Sequence, residues 1–145
     1  MAKLGSGGRP PLFDRLVTPK EGVPPSTQDL AEIRVSIQYS LDLLVSSRAA
    51  RPIQEYLSAP LTTLDWGIPD FTSLSPSTES DRRLMAKVLE RAITCFEPRL
   101  SQVLVRPLPP SGNSGSLARF EVQATLALSQ LQERLTFSVG VSRAQ

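Results

Sequence analysis

Phe96-Glu97-Pro98-Arg99-Leu100 is the segment that most restricts how this chain folds, because a helix has to stop there and a strand has to start. Upstream, Leu84, Val88, Leu89, Ala92 and Phe96 recur at three- and four-residue steps, one apolar helical stripe. Pro98 lacks the N–H that would continue this helix, and its ring pushes Glu97 out of the α region toward extended geometry. Downstream, Leu100-Ser101-Gln102-Val103-Leu104-Val105 reads as a strand. Glu97 and Arg99 are therefore carried on backbone fixed by packing from both sides. Local physics alone reads them as a helix stop with a solvated ion pair, an arrangement that contributes ~1 kcal/mol at most.

The rest of the chain arranges itself around that junction. The helix ending at Phe96 is predicted to begin near Thr78, with the Asp81 carboxylate three residues on. An earlier helix opens at Ser26 or Thr27, where Ser26 and Asp29 have capping-box spacing, and runs out near Arg48 before Pro52. Leu30, Ile33, Ile37, Leu41 and Leu44 form its apolar stripe. A short helical turn is expected around Ile53 to Leu57. The connector over residues 58–76 holds Trp66-Gly67-Ile68-Pro69-Asp70-Phe71, whose apolar residues predict a packed segment bent at Gly67.

Three strands follow. Val103, Leu104 and Val105 are apolar on both faces and predict a covered or central strand over Leu100 to Arg106. Phe120, Val122, Ala124, Leu126 and Leu128 alternate with polar neighbours, as do Leu135, Phe137, Val139 and Val141, so both segments read as half-buried antiparallel strands. Pro107 to Gly115 reads as a hairpin loop. The predicted architecture is α+β: two main helices followed by a three-stranded antiparallel sheet, over residues 26–145. A sheet this small leaves an edge available to a partner strand unless something covers it. Residues 1–25, with Pro10, Pro11, Pro19, Pro24 and Pro25, read as an extended arm with apolar anchors at Leu12, Phe13 and Leu16.

Composition narrows the chemistry. The chain has no histidine and a single cysteine, Cys95, which removes Ser-His-Asp and Cys-His catalysis, internal disulfides and the usual zinc ligands. Late in an apolar helix, Cys95 reads as a small hydrophobe. Gly5-Ser6-Gly7-Gly8 follows no strand and reads as linker rather than phosphate loop, so no cofactor is expected. The first eleven residues lack the apolar core of a secretory signal, and no apolar run approaches a membrane span. Net charge is +2, with thirteen arginines against three lysines. Without a dense basic stripe and interleaved aromatics this argues against nucleic acid, whereas arginine suits protein interfaces.

One enzymatic rival survives the missing histidine. Glycoside hydrolysis needs only two carboxylates, and Glu97 with Asp70 is the pair to consider. An arginine two residues from Glu97 favours its ionised form, which is the wrong direction for a general acid. No second lobe or aromatic groove for a sugar is evident.

Four segments, in order along residues 12 to 100, carry a resemblance. Phe96 to Leu100 resembles the Glu-Pro-Arg signature of the TssE family, the type VI secretion baseplate subunits akin to the phage baseplate wedge protein once labelled a "gene 25-like lysozyme". Leu12-Phe13-Asp14-Arg15-Leu16 is similar to the family's N-terminal leucine-phenylalanine-arginine segment. Leu43-Leu44-Val45-Ser46-Ser47-Arg48 resembles its helix-ending segment, with serines for Asn and Thr, and Trp66-Gly67-Ile68-Pro69-Asp70-Phe71 its Tyr-Gly-Leu-Pro-Asp-Leu turn, with Trp for Tyr.

The resemblance implies a non-catalytic structural subunit in a cytoplasmic, membrane-docked baseplate. It implies wedge partners TssF, TssG and TssK, contact with the sheath proteins TssB and TssC, and proximity to tube and spike proteins. It also implies a core shared with the sheath protein, from which the first sheath ring is seeded. Glu97, Pro98 and Arg99 would sit at the sheath- or wedge-facing junction, and Leu12, Phe13, Arg15 and Leu16 would anchor the arm to a neighbour. A wedge protein of a contractile phage tail or phage-derived particle is the alternative within the same class.

Overall fold

A computed structural model describes residues 30–109, 117–128 and 131–142. The arm, its anchors Leu12, Phe13, Arg15 and Leu16, and the Ser26 cap lie outside the described residues. Helix α1 spans Leu30–Ser46, α2 Ile53–Ser58 and α3 Glu79–Phe96, with a 3-10 turn at Thr63–Asp65. Strands β1 (Leu100–Pro107), β2 (Leu117–Leu128) and β3 (Leu131–Ser142) form an antiparallel sheet in the order β1-β2-β3. The α+β architecture read from the sequence is the observed one.

The two main helices form where their apolar periods meet the sheet, and α2 packs on α3. Helix α1 buries Ile33, Ile37, Leu41, Leu44 and Val45, and α3 buries Met85, Ala86, Val88, Leu89, Ala92 and Ile93. Facing them are Phe120, Val122, Ala124 and Leu126 of β2 and Leu135, Phe137, Val139 and Val141 of β3. Full burial of one such large side chain contributes roughly 1.5–3 kcal/mol. Helix α1 ends with its last carbonyls tied back, the Ser46 hydroxyl donating to Asp42 O (2.6 Å) and the Ser47 hydroxyl to Leu43 O (2.8 Å). Thr78 occupies the N-cap of α3 without a side-chain cap bond. Asp81 instead accepts the Ser75 N–H at 2.8 Å, so its carboxylate fixes the approach to the helix.

The connector packs as part of the core. Ile68 N–H donates to Ser47 O and Ala49 N–H to Ile68 O, both at 3.0 Å. This two-bond clip presses Gly67 against α1's end. Gly67 has φ +106°, and a Cβ there would sit 2.6 Å from Ser47 O. The buried Tyr56 hydroxyl donates to Gly67 O at 2.7 Å, and Arg91 of α3 donates to Tyr56 O and Ala59 O. Ile68 and Phe71 are buried as expected, but Trp66 is 41% exposed. Bent outward before Gly67, its ring meets Phe96 edge-on, centroids 5.3 Å apart. Cys95 is exposed rather than buried.

Strand β1 is an edge strand, neither central nor covered on both faces as its apolar run suggests. Gln102 takes φ +50° and the register shifts between Ser101 and Leu104. That bulge puts Val105 in the core and leaves Leu104 exposed, so apolar residues on both faces no longer mean cover on both faces.

The two sheet edges differ. Leu108 N–H donates to Arg119 O, so odd-numbered residues of β2 bond to β1 and even-numbered ones to β3. It follows that Val105 and Pro107 of β1, and Thr136, Ser138 and Ser142 of β3, direct their main-chain groups away from the sheet. On β1 the Val105 N–H is taken by the Glu90 carboxylate of α3 (3.2 Å), and Pro107 has no N–H. On β3 side chains from α1 and its end intervene: Arg34 donates to Thr136 O (3.2 Å), Gln38 to Ser138 O (3.2 Å) and Arg48 to Ser142 O (3.4 Å).

Candidate functional site at the helix–strand junction

Glu97 caps α3: its N–H donates to Ile93 O (2.9 Å) and its carbonyl accepts the Leu100 N–H (3.1 Å). Pro98 and Arg99 are the central residues of the turn so closed, with proline where its fixed φ suits the geometry. The Glu97 side chain is nearly fully buried, at 6% exposure, against the expectation of a solvated pair. Its Oε1 accepts from Arg99 Nε and its Oε2 from Arg99 Nη2, both at 2.7 Å. The same guanidinium reaches α1, with Nη1 donating to the Ser36 hydroxyl (3.0 Å) and Nη2 to the Ser40 hydroxyl (3.1 Å). These serines lie one turn apart on one flank of α1.

The pair therefore joins three elements from inside the chain: the end of α3, the start of β1 and the middle of α1. A planar fork is needed for that, since it serves a carboxylate and two hydroxyls at once. Pro98 is exposed beside it.

Around this joint lies an apolar surface that sequence reasoning missed. Val35, Tyr39 and Leu43 are 71%, 64% and 44% exposed, spaced four apart along α1 next to Ser36 and Ser40. Leu43 O accepts from Ser47, against which Gly67 packs, so Trp66 stands at the end of the same flank and rests on Phe96 beside Glu97. Single exposed apolar residues need no explanation, but a grouped set rimmed by polar ones marks an interaction site. The available signal was a second, weaker four-residue period in α1, off the main stripe.

Two features among the described residues bear on hydrolysis. Asp70 is held below the ordinary carboxylate value, chiefly by the Thr72 hydroxyl and then its N–H, the wrong direction for a general acid. A groove of about 460 Å³ between α2 and α3 is lined by Leu57, Leu61, Lys87, Glu90, Arg91, Thr94 and Cys95. Its one carboxylate, Glu90, is already bonded to Val105 N–H. Among the described residues, no helix is long and apolar enough to cross a membrane.

Residues 28–131 match the family model for the baseplate wedge protein gp25. The chain belongs to that family. A chain of a solved structure, the baseplate complex from the type VI secretion system, shares the fold with a TM-score of 0.52 at 17% identity, over 77% of this chain and 96% of that chain. No curated protein gives a significant match. The baseplate wedge match contains Glu97, Pro98 and Arg99 as well as the exposed α1 flank. It begins after Leu12, Phe13, Arg15 and Leu16.

Proposed function

We propose that this baseplate wedge family member is a non-catalytic, TssE-type subunit of a type VI secretion baseplate in the cytoplasm, joining TssF, TssG and TssK and starting assembly of the TssB/TssC sheath. Family membership and the likeness to a type VI baseplate chain support the setting. The observation that carries the sheath role is the inequality of the sheet edges. β1 is closed by a bulge, a carboxylate and a proline. β3 runs twelve residues, and the outward carbonyls of Thr136 and Ser138 accept from the Arg34 and Gln38 side chains, which a partner strand can displace. Wedge partners are assigned to the surface around the junction, where Pro98, Tyr39, Leu43 and Trp66 make contact and Glu97 with Arg99 hold α1 in place. Leu12, Phe13, Arg15 and Leu16 are assigned to a neighbouring subunit.

Ser138→Pro tests the edge. It removes one outward N–H without touching the ladder to β2, and proline is tolerated on edge strands. Fluorescent sheath protein would be imaged in cells carrying this variant. The expected result is a folded subunit and no sheaths; sheaths at wild-type frequency would sink the strand-addition role. Genes for phage tail proteins beside this one would favour the phage-particle alternative.

A further inference from the structure

The sheet has a second face, turned away from all three helices, that the proposed function does not use. On β1 it carries Leu104 and Arg106, on β2 Leu117, Arg119, Glu121 and Gln123, and on β3 Arg134, Thr136 and Ser138. All three arginines are exposed, and among the described residues none forms an ion pair. Arg106 stands opposite Glu121, yet Glu121 accepts from Gln123 at 2.7 Å instead. Arg119, two residues before Glu121, is the diagonal neighbour of Arg106, at a separation of about 7–8 Å. Two like charges are thus held together with one partly engaged acid between them. Two exposed leucines of the strands, Leu104 and Leu117, lie on this same face, Leu117 over Gly140 of β3. The described strands contain no lysine. Arginine with apolar neighbours, lysine absent and acids scarce is the composition of a protein interface.

We propose that this outer sheet face docks an acidic surface of another protein subunit, with Arg106 and Arg119 as its charged contacts and Leu104 and Leu117 as its apolar ones. The uncompensated charge sets the sign of the partner. The face suits a protein rather than nucleic acid: Glu121 would repel phosphate, and the aromatic residues of the strands, Phe120 and Phe137, point into the core and offer no platform for bases. The proposal is independent of the β3 edge and of the junction, because it concerns neither main-chain groups nor α1.

The test places the photo-crosslinking residue p-benzoylphenylalanine at position 119 of the full chain in the source cells and maps the crosslinked peptide. The protein so identified is then purified, and its affinity is measured for wild type, for Arg106→Glu with Arg119→Glu, and for the milder Arg106→Gln with Arg119→Gln. The expected result is a crosslink to an Asp- or Glu-rich segment, an affinity loss of about tenfold or more on reversal, a smaller loss on neutralisation, and recovery when acids of that segment are changed to arginine. If the reversal variant fails to melt like wild type, the glutamine variant decides. Crosslinks to nucleic acid alone, no crosslink, a segment without acids, affinity within twofold for the folded variants, or no recovery by the charge swap would each overturn it.

Discussion

Arg99 grips Glu97 at two points, Nε to Oε1 and Nη2 to Oε2, while keeping both terminal nitrogens on hydroxyls of α1. A pair this buried behaves unlike a surface salt bridge. Removing one partner strands the other charge in the interior, at a cost of about 3–5 kcal/mol. Arg99→Glu is therefore expected to lower the stability of the isolated protein by that amount in urea denaturation. Arg99→Lys, which keeps the charge but loses the fork, is expected to cost about 1–2 kcal/mol. A loss below ~1 kcal/mol for Arg99→Glu would return the pair to the surface-bridge class.

The exposed flank of α1 should separate binding from folding. Tyr39 is 64% exposed, so Tyr39→Asp is expected to shift melting only slightly. Trp66→Asp also removes the ring contact with Phe96 and is expected to cost about 1 kcal/mol of stability. Loss of a central aromatic contact typically costs about 2 kcal/mol or more of binding, roughly thirtyfold in affinity. Under the proposed wedge assignment, titration against purified TssF–TssG complex reads this directly, and unchanged affinity in both variants would overturn that assignment.

Two glycines make a matched comparison. Gly67→Ala forces a Cβ to within 2.6 Å of a backbone carbonyl at φ +106°, and neither can yield. It is expected to destabilise by about 2 kcal/mol or more. A Cβ at Gly140 meets the end of the Leu117 side chain at 3.4 Å, which can move. Gly140→Ala is expected to stay within ~0.5 kcal/mol of wild type. Equal effects in the two would show that the clip between Ile68 and Ser47 is not rigid.

Tyr56 gives the protein an alkaline limit. Burial, with the negative charges of Cys95 and Asp65 adding to it, pushes the Tyr56 hydroxyl up to about 12. The unfolded chain releases this proton near pH 10, so the stabilisation is complete below pH 10 and is lost as pH climbs toward about 12. Its size is about 2–3 kcal/mol. Tyr56→Phe is expected to lower stability by about 1–3 kcal/mol at pH 7, by orphaning Gly67 O, and to flatten the decline above pH 10. Parallel alkaline curves for the two proteins would rule out Tyr56 as the source.

Both main helices and the number and sense of the strands were legible because their apolar periods are long. Glu97, Pro98 and Arg99 were legible as a joint through Pro98 alone. Their burial was not, because it depends on Ser36 and Ser40, more than fifty residues away, and serines at helical spacing carry no signal by themselves. Trp66 misled because its size suggests core, whereas Gly67 turns the chain outward just after it. Strand β3 begins at Leu131, four residues before its clear alternation at Leu135, because Gln132 to Arg134 are polar and are held extended by pairing with Thr125 to Ala127 of β2. The bulge at Gln102 left no trace in the apolar pattern, so the edge position of β1 could not be read.

If a partner strand displaces the α1 side chains from β3 as proposed, a sheet closed along β1 can be lengthened on one side only. In the language of polymer growth it would then resemble an initiator with a single reactive end: strands would add outward from β3, each new one presenting the next edge, and none behind β1. Direction of growth would then be a property of the Glu90 carboxylate and Pro107, residues remote from the growing end. Unblocking them would create not a stronger assembly but one that no longer distinguishes forward from back.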